Sequence, residues 1–111
     1  LIYKILKISN KQIDTINMTT DIIIHDKKDN VGVVVVEKIT AKQDCSCWIM
    51  EDDSSTKIQS VDEIQLGHKI AMTDLNEGDT ILKYGHDIGK VVKSIKKGEH
   101  VHVHNVKTKK W

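Results

Sequence analysis

Residues 31–36 are valine at every position except Gly32. A strand with one wet face alternates apolar and polar side chains, so an unbroken β-branched run fits a strand covered on both faces. Valine also loses rotamer freedom in a helix and packs well on a pleated surface. Segment 31–37 is therefore expected to be a central strand. Ahead of it, Ile22, Ile23 and Ile24 form a short apolar strand. That strand leads into His25-Asp26-Lys27-Lys28-Asp29-Asn30, a polar cluster typical of a turn.

The second half carries a repeat of the form apolar-x-x-Gly-x-x-apolar. It occurs at Ile64, Gly67 and Ile70, at Leu75, Gly78 and Ile81, and at Ile95, Gly98 and Val101. A fourth copy at Ile39, Lys42 and Cys45 lacks the glycine. Glycine tolerates the positive φ of tight turns, so each unit reads as an apolar anchor, a turn and the start of a strand. Short strands joined in this way predict a compact all-β domain, barrel-like or clip-like. Helix signals are poor: Thr73-Asp74-Leu75-Asn76-Glu77 suits at most one turn before Gly78. Segment 1–20 reads as an edge strand or an N-terminal extension, and segment 21–111 as the domain proper.

The 111 residues suffice for one core. Aromatic residues make up 4% and phenylalanine is absent, so that core must be aliphatic. Net charge is +1, and all the strongly basic residues are lysine. This balance argues against nucleic-acid or anionic-membrane binding, because it lacks both a strong field and the arginines that read phosphates. No apolar run approaches the roughly 20 residues that span a bilayer, and no signal-peptide pattern opens the chain, so a cytoplasmic protein is expected. Cys45 and Cys47 flank a single serine. That spacing suits neither a disulfide framework nor a four-cysteine zinc site, and structural thiols are expected.

The chemistry concentrates in histidine. His100-Val101-His102-Val103-His104 alternates strictly. On a strand the three imidazoles would share one face, with Val101 and Val103 on the other. Residues two apart on a strand are about 7 Å apart, a span from which two imidazoles can converge on one divalent ion. The same pattern also suits a solvated strand face over buried valines. Further ligands would have to come from His25 with Asp29 or Asn30, or from another chain. His25 equally suits a loop histidine capping its own turn, and His68 and His86 read as exposed turn residues.

Four segments then occur in order: Ile24-His25 with Asp29-Asn30-Val31; Gly67-His68-Lys69-Ile70-Ala71-Met72-Thr73-Asp74; Lys83-Tyr84-Gly85 with Ile88-Gly89; and Gly98-Glu99-His100-Val101-His102-Val103-His104-Asn105. Together they resemble the SAF domain that opens altronate dehydratases and forms the separate small subunit of sulfolactate sulfo-lyase-type enzymes. The resemblance implies a β-clip fold and a part in β-elimination from a small hydroxy acid. The leading expectation is loss of water from altronate; loss of sulfite from sulfolactate and a non-catalytic carbohydrate- or partner-binding module are the alternatives. It implies a large catalytic subunit as partner, leaves room for self-association, and leaves the isolated chain inactive. It also implies Fe²⁺ or Mn²⁺ as cofactor. By motif position, His25, His102 and His104 would act on the metal or in catalysis, and Asn105, Lys83 and Asn30 on the substrate. His100 is the row member expected to matter least.

Overall fold

A computed structural model of the chain describes residues 20–108. The expectation for the N-terminal segment therefore lies outside them, except for Thr20, which opens the first strand. The described residues form eleven strands and no helix, as the β-branched composition predicts. They are β1 (Thr20–Ile24), β2 (Val31–Val34), β3 (Lys38–Ile39), β4 (Asp44–Ile49), β5 (Ser54–Gln59), β6 (Ile64–Gln65), β7 (Lys69–Ala71), β8 (Thr80–Lys83), β9 (His86–Val91), β10 (His100–Val101) and β11 (Val106–Thr108). A six-stranded sheet runs in the order β10-β7-β2-β1-β4-β5, beside a three-stranded sheet β11-β9-β8 and a small pair β3-β6.

The valine strand is central, with β7 on one side and β1 on the other. It is shorter than the valine run and ends at Val34. Val35 leaves the β2 ladder, although its N–H still reaches Asp21 O at 2.9 Å, and Glu37 is exposed. Both faces of the sheet are covered. Ile22, Ile24, Val34 and Ile70 pack with Cys45, Cys47 and Ile58 in one cluster. Val31, Ala71 and Val101 pack with Leu75, Ile81, Val91, Ile95 and Val106 in another. Ile23 and Val35 lie under Trp48 and Met50 in a third.

The glycine units fold alike. Gly67, Gly78 and Gly98 have φ of 83°, 93° and 92°, and Lys42, in the copy without glycine, has φ of 67°. In each unit the residue after the positive-φ position returns its N–H to the carbonyl three residues back: Gln43 to Thr40, His68 to Gln65, Asp79 to Asn76 and Glu99 to Lys96. In three copies the side chain at that last position also accepts the N–H of the turn's first residue. Gln43 caps Thr40, Asp79 caps Asn76 and Glu99 caps Lys96. The apolar anchors pair with one another, Ile39 with Ile64 across β3 and β6, and Leu75 with Ile95 as an isolated bridge. That bridge occupies the place where the sequence allowed at most one helical turn: its two reciprocal 2.8 Å hydrogen bonds commit the backbone to an extended partner.

Gly98 carries the strongest constraint of the set. A Cβ there would lie 2.5 Å from the backbone oxygen of Gln59, in a φ that L side chains rarely adopt. Gly98→Ala is expected to lower stability by about 2–4 kcal/mol, read as a fall in the urea midpoint at unchanged slope. Gly78, whose added Cβ would meet nothing within 4 Å, supplies the comparison. Gly78→Ala should cost only the conformational part, about 1–2 kcal/mol.

Candidate functional site

The site grows from the β7–β10 pairing. His100 lies opposite Ile70 and Val101 opposite Lys69, so continuing the register by one residue sets His102 opposite His68. Opposed residues of an antiparallel pair share a face, and so do residues two apart along a strand. The core side chain Ile70 and the imidazoles of His68, His100 and His102 therefore emerge on one side of the sheet edge. The rings stack: centroids are 4.4 Å apart for His68 and His102, 5.1 Å for His68 and His100, and 5.4 Å for His100 and His102. His68 Nδ1 and His100 Nε2 are 2.9 Å apart. One nitrogen from each of the three rings lies within 4.8 Å of the others.

This differs from the expected strand face in an instructive way. β10 ends at Val101, and the chain turns through residues 102–105. Val103, expected beneath the sheet beside Val101, is 64% exposed. His104 is carried outward as well: it is exposed, with its ring tilted by 43° at 5.3 Å from His100. His102 stays in place because the turn is clamped by Asn105, which is only 7% exposed. The His102 N–H donates to Asn105 Oδ1 at 3.0 Å, and Asn105 Nδ2 donates to His100 O at 2.8 Å. Asp62 holds the other end of β10, accepting the His100 N–H at 2.9 Å. His100 and His104 also border a cleft of about 180 Å³ lined by Asp62, Lys93, Ser94, Glu99 and Asn105.

Of the residues singled out in sequence, the structure gathers His102 with His100 and His68. The set His25, His102 and His104 is not the one whose nitrogens converge. His25, just past β1, stacks on Tyr84 at 3.7 Å instead. Asn30 spends its amide on the backbone of β8, donating to Thr80 O at 2.9 Å and accepting from the Leu82 N–H at 2.8 Å. Lys83 lies over Tyr84, its Nζ 5.6 Å from the ring centroid. Asn105 is a clamp on the histidine loop, with both ends of its amide in use. His86 is exposed at the start of β9, as expected of a turn histidine.

His68 was expected as an exposed turn residue, and here it is half-buried among imidazoles. A signal for it lay in the repeat. Where the other three copies carry a capping acceptor, Gln43, Asp79 or Glu99, this copy carries an imidazole, which turns to His100 instead.

Electrostatics favours neutral imidazoles. Burial, then the charges of His68, His104 and His102, push the pKa of His100 below its ordinary value, against the opposing pull of Asp62. Burial, then His68, Lys69 and His104, do the same for His102. Neutral imidazole is the form that ligates a metal. Metal–nitrogen bonds of about 2.1 Å let two donors on one ion lie at most about 4.2 Å apart. The three imidazoles, whose donor atoms lie within 4.8 Å of one another, could therefore hold a divalent ion once the rings close in and the 2.9 Å His68–His100 contact gives up its shared proton, with further positions for water or an oxygen ligand. The two cysteines offer no such chemistry. Burial pushes Cys45 up to about 11 and Cys47 up to about 12, so both remain thiols at neutral pH.

The pattern of the altronate/galactarate dehydratase SAF domain matches residues 20–109. The chain is 52% identical over 94 residues to the (2R)-sulfolactate sulfo-lyase subunit alpha of Chromohalobacter salexigens, covering 85% of this chain and all of that protein. The subunit alpha of Paracoccus pantotrophus is 45% identical over 65 residues, covering 59% of this chain and 97% of that one. Altronate dehydratase of Bacillus subtilis is 51% identical over 51 residues, which are 46% of this chain but 10% of that enzyme. The eleven-stranded fold, the ordered glycine turns and the match over every described residue agree, and the chain belongs to the altronate/galactarate dehydratase SAF-domain family.

Proposed function

We propose that this chain is the small subunit of a lyase that eliminates sulfite from (2R)-sulfolactate, working with a larger catalytic subunit. The observation that carries the reading is the end-to-end match to a protein that is itself a sulfo-lyase subunit alpha. Altronate, the leading expectation from the motifs alone, becomes the second reading, because altronate dehydratase shares only a tenth of its length with this chain. Among the described residues no helix is long and apolar enough to cross a membrane.

Elimination removes the proton from C2 of the hydroxy acid; that C–H electron pair forms the C2=C3 double bond, and the C3–S pair departs with sulfite. The enol that remains takes up a proton at C3 to become the 2-oxo acid, so no oxidant is required. His68, His100 and His102 would hold Fe²⁺ or Mn²⁺, which supplies Lewis-acid polarisation of the hydroxy acid's oxygens. His104 stands at the edge of this centre, facing the cleft it shares with His100. It is the imidazole of the row left to accept a proton. Leu66 and Val103, 54% and 64% exposed on the loops that carry His68 and His102, offer an apolar rim against which a second subunit would close the site.

The test is sulfite release from (2R)-sulfolactate, and dehydration of altronate, by the chain with and without a co-expressed large subunit. Sulfite release by the pair and none by the chain alone is expected. Dehydration of altronate without sulfite release would replace the leading reading by the second, and turnover by the isolated chain would overturn the two-subunit assignment.

A further inference from the structure

We infer that four exposed aliphatic side chains, Val61, Leu66, Val92 and Val103, form a collar for the large subunit around the histidine centre, and that this collar makes assembly of the two subunits depend on the metal. This rests on the two-subunit lyase reading and goes beyond it by naming the docking face and what controls it.

Five large apolar side chains are exposed among the described residues: Val61 at 49%, Leu66 at 54%, Tyr84 at 55%, Val92 at 42% and Val103 at 64%. Singly exposed aliphatics are ordinary, whereas several at one place mark a surface that another molecule covers. Tyr84 belongs to the β8–β9 hairpin and stacks on His25. The other four attach to the histidine segments. Leu66 precedes His68 by two residues, and Val103 lies between His102 and His104. Val61 is tied to the start of the histidine row, its N–H donating to Gly98 O at 2.8 Å. Its side chain lies there too, since an added Cβ at Gly98 would be 3.2 Å from Val61 Cγ2. Val92 is tied to the end of the row, its N–H donating to Asn105 O at 2.9 Å. The residues that follow them, Asp62 and Lys93, line the cleft that His100 and His104 border.

The kind of partner follows from charge. Three neutral imidazoles leave a divalent ion its double charge, and covering that charge with an apolar surface is costly unless an anionic group meets it. No carboxylate among the described residues joins the three converging nitrogens. The two acids that border the cleft are turned to the backbone: Asp62 accepts the His100 N–H and Glu99 the Lys96 N–H. Iron and manganese favour oxygen ligands and take more than three donors. The face therefore fits a large subunit that presents an apolar surface with a carboxylate at its centre. Without the ion, the same face offers only the collar and the stacked rings. The dependence is reciprocal, because whatever factor the metal adds to association the partner adds to metal affinity.

The test is association of the full chain with the separately purified large subunit, followed by sedimentation velocity. Substrate is left out because its own carboxylate can meet the ion. Added Mn²⁺ or Co²⁺ is expected to tighten association by about tenfold or more over the chelated proteins, and the pair to hold Co²⁺ more tightly than the chain alone by the same factor. Leu66→Gln with Val103→Gln should weaken association by about tenfold or more. Co²⁺ absorption and melting temperature of that chain alone should stay at wild-type values, because both side chains are exposed. His68→Ala with His102→Ala should remove the metal dependence and keep the metal-free affinity. Association that is absent, or that metal changes by less than about twofold, overturns the inference. So does a metal dependence that survives in the histidine variant, or wild-type association of the glutamine variant. A metal-bridged dimer of this chain alone overturns the choice of partner in favour of a second copy. A failed lyase reading looks different: the pair assembles in the metal-dependent way and releases neither sulfite nor water.

Discussion

Replacing His68 and His102 together by alanine is expected to lower the activity of the assembled enzyme by at least about a hundredfold, and to abolish Co²⁺ absorption by the chain. Two of the three converging nitrogens disappear, and a single imidazole does not hold a divalent ion against water. The fold should persist, because neither ring belongs to a hydrophobic cluster and both stand at the end of the β7–β10 pair. A melting curve recorded beside the activity separates the two effects. His104→Ala, which leaves all three converging nitrogens intact, should retain Co²⁺ binding while losing turnover. Undiminished activity in the double variant would return the cluster to a solvated edge of the sheet.

The sign of the pH response follows from the same imidazoles. The folded state holds the pKa of His100 and His102 below 6.5, their value without the site. The unfolded chain therefore binds more protons in the window just below 6.5, and stability rises with pH through it. Acidification from 7 should lower the melting temperature of the metal-free chain as the pH passes below 6.5. Because the folded values are depressed, metal binding should persist to lower pH than for unperturbed histidines.

Much of the fold was legible because its causes are local. The valine run dictated a strand covered on both faces, and the apolar-x-x-Gly spacing marked turns that recur at Gly67, Gly78 and Gly98. Even the copy without glycine was informative, since Lys42 takes up the same positive φ. The site was legible only in part. Alternation along His100-Val101-His102-Val103-His104 correctly placed the first two histidines on one face. It failed at Val103, where a buried side-chain amide five residues after His100 draws the backbone into a turn. Period-two reasoning has no means of registering such a clamp. His68 was missed because its partners come from β10, 32 residues away, and only the pairing register brings them together. His25 stands apart from that cluster for a related reason: the turn held by Asp29 sets the Tyr84 ring against it.

Asn105 is where fold and site meet, and its replacement is the second large effect expected. The side chain is buried and both ends of its amide are used, one accepting the His102 N–H and the other donating to His100 O. Its backbone is equally committed, with the N–H donating to His102 O and the carbonyl accepting from Val92. Asn105→Ala keeps the backbone bonds and strands one buried donor and one buried acceptor, a loss of about 2–4 kcal/mol. For a domain of this size that is a fall in melting temperature of about 10–25 °C. Asn105→Asp separates the two halves of the clamp. A carboxylate still accepts from His102, yet it cannot donate to His100 O, and it places a charge in a buried position near Asp62, which borders the same cleft. Both variants should lose metal affinity by about 10–100-fold, because the ring of His102 is held by the loop that this amide closes. Metal affinity unchanged in a destabilised Asn105→Ala chain would show that stacking on His68 is enough to hold His102, and that the amide serves the fold alone.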